Sequence, residues 1–268
     1  MSQQMRVAAI QTIAGGDVAE NLAQAALLVR AAAADGAQLI VLPEYFGILG
    51  AHATDKLAAK ERDGAGPQQD FLARMAREHS VTIVGGSVPI ASADPARVRS
   101  ACLVYGPEGT RLARYDKIHL FRFTSGAEDY DETRTIQPGN AVVAFDAPCG
   151  RVGLSICYDV RFPELYRALG NCALLLVPAA FTATTGAAHW ELLLRTRAVE
   201  NQCYVLAAAQ GGLHPNGRRT WGHSMLVDPW GVIAAMKEEA PGMVLGAVDP
   251  ARIAEVRTQL PALTHRVM

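Results

Sequence analysis

A layered α/β architecture, with a mixed sheet or two sheets and helices on the outside, is the fold class this sequence predicts. Three observations predict it. Helical and strand patterns alternate from one end of the chain to the other. Several strand segments, such as Gln38–Leu42 and Ala173–Val177, are short and wholly apolar, as strands buried on both faces are. Others are amphipathic and one pair reads as a hairpin, which fits poorly with a purely parallel doubly wound sheet.

The elements follow in order. Arg6–Gln11 reads as a strand. Val18–Asp35 is a long Ala/Leu-rich helix with Asp17 placed to cap its first turn. Gln38–Leu42 is a buried strand, and Pro67–His79 a helix with proline in its first turn. Val81–Val88 is a strand, and Val98–Tyr105 pairs with Thr110–Tyr115 across Gly-Pro-Glu-Gly. Residues 122–140 are polar and irregular and read as a loop. Ala141–Phe145 and Val152–Ile156 are strands, Phe162–Leu169 a helix, Ala173–Val177 a strand and His189–Gln202 a helix. Tyr204–Ala209, Gly222–Val227, Val232–Ala235 and Val244–Val248 are strands, and Pro250–Leu260 is a closing helix. Without repeats, linkers or low-complexity tracts, residues 1–268 are expected to form one domain.

Composition narrows the function. A formal charge of −1 leaves no electrostatic footprint for nucleic acid or an anionic membrane. The longest apolar runs, such as Cys172–Phe181, are too short to span a bilayer. The opening Met-Ser-Gln-Gln-Met-Arg leads straight into a strand, so no secretory signal is expected. Five widely spaced cysteines (102, 149, 157, 172 and 203) suit reduced thiols in a cytoplasmic protein. No CxxC, His pair or HExxH has metal-ligand spacing, and GxSxG is absent.

Three short runs carry chemistry. Gly-Leu-Ser-Ile-Cys-Tyr-Asp-Val-Arg-Phe-Pro-Glu-Leu-Tyr-Arg (153–167) reads as a buried strand that breaks sharply and starts a helix near Pro163. A thiol at that corner, Cys157, is expected to be exposed and near a helix N-terminus, both of which favour thiolate. Val-Leu-Pro-Glu-Tyr-Phe (41–46) puts Glu44 at the end of an apolar strand. Tyr-Asp-Lys-Ile-His-Leu-Phe (115–121) puts Lys117 in an apolar setting. Of the 25 lysines and arginines only four are lysine: Lys56, Lys60, Lys117 and Lys237. The other three read as surface residues, so Lys117 stands out as a place where a compact ammonium is needed. Cys157 can attack a carbonyl, Glu44 can move the proton, and Lys117 with the Tyr158 backbone N–H can stabilise the oxyanion.

Leu-Pro-Glu-Tyr, Tyr-Asp-Lys-Ile-His-Leu-Phe and Ser-Ile-Cys-Tyr-Asp-Val-Arg-Phe-Pro-Glu resemble, in order and spacing, the three signature segments of the nitrilase (carbon–nitrogen hydrolase) superfamily. The similarity runs from Val7 to the final Pro-Ala-Leu-Thr-His-Arg. It implies an α-β-β-α sandwich, homodimers that pack two sandwiches into a longer assembly, no cofactor, no metal, and a Glu44–Lys117–Cys157 triad. It also implies a second carboxylate that orients the lysine. Glu132 matches best, with Glu128 the competitor.

Residues 181–202, 207–214 and 221–231 resemble the amidase branch. That implies hydrolysis of a small carboxylated amide through a thioester, foremost deaminated glutathione to 2-oxoglutarate and cysteinylglycine. The alternatives are 2-oxoglutaramate, then N-carbamoyl amino acids or nitriles, and, in another class, a catalytically retired scaffold. The substrate carboxylate calls for a cation, with Arg161, Arg122, Arg195 and Arg197 as candidates. Phe181 and Thr182, after a strand end, are expected to line the substrate site, while His189 and Trp190 are expected to pack.

Overall fold

The computed structural model describes residues 2–126 and 128–267. Two sheets lie face to face. The first has seven strands. Gly242–Val248, Met5–Gln11, Leu39–Leu42, Thr82–Gly85, Val98–Tyr105 and Val88–Ala91 follow in spatial order, and Arg111–Asp116 also pairs with Val98–Tyr105. The second runs Ile233–Lys237, Ser224–Val227, Tyr204–Ala209, Leu174–Ala179, Gly150–Leu154 and Ala144–Ala147. Each has a parallel centre: Met5–Gln11 with Leu39–Leu42 and Thr82–Gly85, and Gly150–Leu154 with Leu174–Ala179 and Tyr204–Ala209. Antiparallel strands flank both centres, so the sheets are mixed as expected.

Period-two alternation sorts the side chains between layers. Val7, Ala9, Leu39 and Val41 join the core shared with the second sheet, while Ala8, Ile10, Ile40 and Leu42 point the other way. There they meet Ala25 and Val29 of the helix Val18–Ala34 and Leu72 and Met75 of the helix Pro67–His79. Ala183–Asn201 lies on the second sheet, burying Trp190, Leu194 and Ala198. The result is an α-β-β-α sandwich.

Local signals hold where their chemistry is explicit. The Asp17 side chain accepts from the Glu20 N–H at 3.0 Å and caps the first long helix. Proline opens the helices at Pro67, Pro163 and Pro250.

Several boundaries differ from the expectation. The segment 81–88 is two strands, broken at Gly86, whose φ of +31° and closeness to the Pro43 carbonyl leave no room for a Cβ. The helix expected from His189 begins six residues earlier, at Ala183, because the Thr182 hydroxyl accepts from the Thr185 N–H. The strand at 141–145 is shifted to Ala144–Ala147, and that at 222–227 starts at Ser224. The loop 122–140 contains a hairpin, Arg122–Ser125 with Glu128–Asp131, followed by a 3₁₀ turn at Glu132–Arg134. A second small hairpin joins Gly211–Leu213 to Arg219–Trp221.

Among the described residues no helix is long and apolar enough to cross a membrane.

Candidate active site

Three strands of the sandwich end close together, and each delivers one polar side chain. After Leu39–Leu42 comes Pro43, then Glu44, then Tyr45 with φ +58°. That left-handed turn, unusual for a residue with a Cβ, sends Glu44 inward. Its side chain is almost wholly buried. One oxygen accepts from Lys117 Nζ at 2.8 Å and the other from the Ala180 N–H at 3.0 Å.

Lys117 follows the end of Arg111–Asp116. Its ammonium has no exposed surface and donates to three carboxylate oxygens, one of Glu44 and both of Glu132, at 2.8 to 2.9 Å. Glu132 also accepts from the Tyr45 hydroxyl and the Phe121 N–H, each at 2.7 Å. Burial alone would push the Lys117 pKa down, but Glu132 and Glu44 outweigh it and hold it well above the ordinary lysine value. Burial would raise Glu132, and Lys117 reverses that, leaving it below the ordinary glutamate value. The competing Glu128 lies apart from this cluster, accepting from the Thr184 hydroxyl at 2.7 Å.

Cys157 directly follows the expected strand end at Ile156 and comes three residues after the observed strand Gly150–Leu154, with φ +51°, as the first residue of a 3₁₀ turn through Arg161. The expectation of an exposed thiol is corrected here: Cys157 is 7% exposed. Burial, then the Glu44 carboxylate, push its pKa well above the ordinary cysteine value, and Lys117 only partly offsets them. A five-residue 3₁₀ turn supplies too little dipole to win against that desolvation.

The corner is pinned to the Lys117 strand by a residue the sequence reading passed over. Asp159 is fully buried. It accepts from the Tyr115 hydroxyl at 2.7 Å, the Ile156 N–H at 2.8 Å and the His119 N–H at 3.0 Å, and lies 2.7 Å from the His119 ring nitrogen. Tyr115 and His119 flank Lys117 by two residues on either side, so Asp159 fixes the position of Lys117 relative to Cys157.

A narrow recess of about 10 Å³ opens at Cys157, and Tyr158, Phe181 and Thr182 stand in its wall. It adjoins a cavity of about 330 Å³. The arginines expected to face the substrate do not line either space. The Arg161 guanidinium stacks over the rings of Tyr158 and Phe181 and meets the His189 ring at 3.3 Å. Arg122 is largely exposed. Arg195 pairs with Glu191, and Arg197 is tied to Glu200 and the Val160 carbonyl. The cations that do line the spaces are Lys56, Arg134 and Arg218. Lys56 is a second correction, since it is half-buried over the Tyr45 ring and not a plain surface lysine. The scarcity of lysine applies to Lys56 as much as to Lys117. Among the described residues no group of three or more His, Cys, Asp or Glu side chains is placed to hold a metal ion.

A carboxylate, an ammonium and a thiol converging from three strand ends are what the signature segments encode, and the carbon–nitrogen hydrolase family model matches residues 6–258. The chain belongs to the carbon–nitrogen hydrolase family. It is 43% identical to a deaminated glutathione amidase of Synechocystis sp. over 266 residues, covering 97% of each chain. It is 39% identical to an omega-amidase of Homo sapiens, covering 97% of this chain and 94% of the relative. Among solved structures, the NitFhit protein of C. elegans superposes with a TM-score of 0.91 at 35% identity, covering 99% of this chain and 66% of that longer one. Nit3 of Saccharomyces cerevisiae, a nitrilase superfamily member, gives 0.89 at 28% identity, covering 100% and 98%.

Proposed function

We propose that this carbon–nitrogen hydrolase is a cysteine amidase that cleaves deaminated glutathione into 2-oxoglutarate and cysteinylglycine. The observation that carries the reading is the buried set of Glu44, Lys117 and Glu132 beside the Cys157 thiol, in a chain 43% identical to an enzyme named for that substrate.

The roles follow from the contacts. Cys157 Sγ attacks the amide carbon while a Glu44 oxygen takes the thiol proton, so thiolate forms only with a substrate in place. The carbonyl oxygen becomes an oxyanion, met by the Lys117 ammonium and the Tyr158 N–H. Glu44 then passes its proton to the leaving nitrogen, the C–N bond breaks and a thioester remains. Water, deprotonated by Glu44, attacks the thioester and frees the acid and the Cys157 thiol. Glu132 stays ionised throughout and holds Lys117 in place. The Ala180 N–H fixes the remaining Glu44 oxygen, so that the base does not rotate away.

The omega-amidase relative supports a second reading, 2-oxoglutaramate, which has the same acyl half and loses ammonia. A coupled assay for 2-oxoglutarate release on both amides, with wild type and Cys157→Ala, decides. A higher kcat/KM for deaminated glutathione, abolished in the variant, is expected. Preference for 2-oxoglutaramate moves the assignment to the second reading. An active, folded Cys157→Ala enzyme sinks both. We also infer a homodimer, which sedimentation at micromolar concentration would reveal.

A further inference from the structure

The charges around the larger cavity can be accounted for one by one. Its wall carries three carboxylates, Asp129, Asp131 and Glu132, and three cations, Lys56, Arg134 and Arg218. Glu132 is taken by Lys117. Asp129 and Asp131 both face Arg134, at 3.7 and 3.6 Å. Among the described residues this leaves Lys56 and Arg218 without an ion pair.

Neither is placed as an idle surface charge. Arg218 lies over the Tyr130 ring, 4.9 Å from its centre, and donates to the Ala180 carbonyl at 3.0 Å, while its Nε is buried with no hydrogen-bond partner. Lys56 sits over the Tyr45 ring at 5.2 Å. Burial disfavours the charged form of Lys56, the Glu132 carboxylate partly restores it, and the Lys117 and Arg218 charges add to the cost. Two partly buried cations that line one cavity, neither held in an ion pair among the described residues, form an arrangement that an anionic ligand relieves.

We propose that Arg218 and Lys56 are the substrate's carboxylate readers, Arg218 for the acyl half and Lys56 for the leaving group, and that the preferred substrate is an amide with a carboxylate on each side of the scissile bond. The proposal rests on the amidase reading above. Its division of labour comes from the two spaces. Arg218 lines the narrow recess with Cys157 as well as the outer cavity, so it meets the part of the substrate that becomes the thioester. Lys56 lines the outer cavity and not the recess. A dipeptide leaving group cannot fit the recess and must extend into the outer cavity, bringing its terminal carboxylate toward Lys56. A planar guanidinium also suits the acyl carboxylate, which must be held in register for attack, whereas an ammonium serves the looser end.

The test is kcat/KM for deaminated glutathione and 2-oxoglutaramate with wild type, Arg218→Met, Arg218→Lys and Lys56→Met. The second amide has the acyl carboxylate but only ammonia to leave. Arg218→Met is expected to lower kcat/KM on both at least about 10-fold, mostly through KM, with Arg218→Lys intermediate. Lys56→Met is expected to lower it about 10-fold on deaminated glutathione and less than about twofold on 2-oxoglutaramate. A structural defect would move both substrates alike, so an equal loss in Lys56→Met overturns the proposal. Wild-type rates on both amides in Arg218→Met overturn it too. Where the melting temperature shows Arg218→Met to be poorly folded, wild-type rates in Arg218→Lys do the same. A wild-type enzyme silent on both amides overturns the amidase reading and this site with it. An active wild type with indifferent variants overturns this site alone.

Discussion

Glu132→Gln isolates the support of Lys117 from the chemistry at Cys157. The glutamate accepts two bonds from Lys117, one from the Tyr45 hydroxyl and one from the Phe121 N–H. Glutamine keeps the shape but has a single carbonyl oxygen. With that oxygen toward Phe121, the new NH₂ faces Tyr45, whose hydroxyl can turn to accept, and Lys117, whose ammonium cannot. The flipped amide is worse, because NH₂ then faces both Lys117 and the Phe121 N–H. Either way Lys117 loses a charge-assisted bond and one of its two carboxylates. Removing one partner of a buried pair costs about 3–5 kcal/mol. Lys117 keeps Glu44, so the low end, about 3 kcal/mol, applies. At about 2–4 °C per kcal/mol for a chain near this size, the melting temperature should fall by roughly 6–12 °C.

Activity should fall further than stability. An oxyanion donor that is removed or misaimed costs about 10²–10³ in kcat. Glu132 touches Lys117 and not the Cys157 thiol, so the loss should fall on kcat with KM within about threefold. Calorimetry and steady-state kinetics on the same preparation check both numbers. A variant that melts with wild type and retains a third or more of kcat would refute the argument that Glu132 holds Lys117 in place.

Two further outcomes follow from the same cluster. Glu44→Gln removes the carboxylate that, after burial, raises the Cys157 pKa most, and leaves Lys117 to lower it. Turnover should vanish while the midpoint of the pH dependence of Cys157 alkylation by iodoacetamide, followed by mass spectrometry, moves down; an upward move would contradict the electrostatics. Glu132, held below its ordinary value, stabilises the fold fully above the unfolded-state pKa of about 4.3, and that stability is lost as pH falls through its folded value. Melting temperature should therefore drop as pH falls below about 5, and drop less steeply in Glu132→Gln, where that group no longer titrates. Parallel curves for the two proteins would count against a lowered Glu132.

Much of the site was legible because strand ends are legible. Buried apolar strands point to Glu44 and Cys157 at their ends without any coordinates, whereas Lys117 follows the largely polar Arg111–Asp116 and stands out through the scarcity of lysine and the apolar Ile118, Leu120 and Phe121 after it. Glu132 was reachable only through family resemblance, since its loop reads as solvated and its role depends on Tyr45 and Phe121 arriving from elsewhere. Arg218 was not legible. It follows a tight turn in Asn-Gly-Arg-Arg and meets Tyr130 from a hairpin that polar composition had hidden. The miss on Cys157 has a different cause. Sequence locates a corner but not its depth, and the depth decides whether a thiol rests protonated. The early start of Ala183–Asn201 turns on one hydroxyl, Thr182, that sequence reading had assigned to the substrate site.

The depth of that corner has consequences for how the site is held. Tyr45 and Cys157 both adopt positive φ, a conformation that costs about 1–3 kcal/mol for each such residue. Both are next to, or are, groups that must aim inward, and each turn is tied down by buried polar bonds. The Tyr45 N–H goes to Ser87 and its hydroxyl to Glu132, while Asp159 collects donors from both sides of Lys117 and from Ile156 beside Cys157. Apolar packing is short-ranged and tolerant of small shifts, so it fixes the sandwich but cannot by itself fix an ammonium against a thiol. Directional bonds can, and they are also what makes the two strained turns persist. A resting thiol follows from the same design. The carboxylates that pin Lys117 also disfavour thiolate, so charge separation at Cys157 waits for a substrate carbonyl that gives the developing negative charge another place to go.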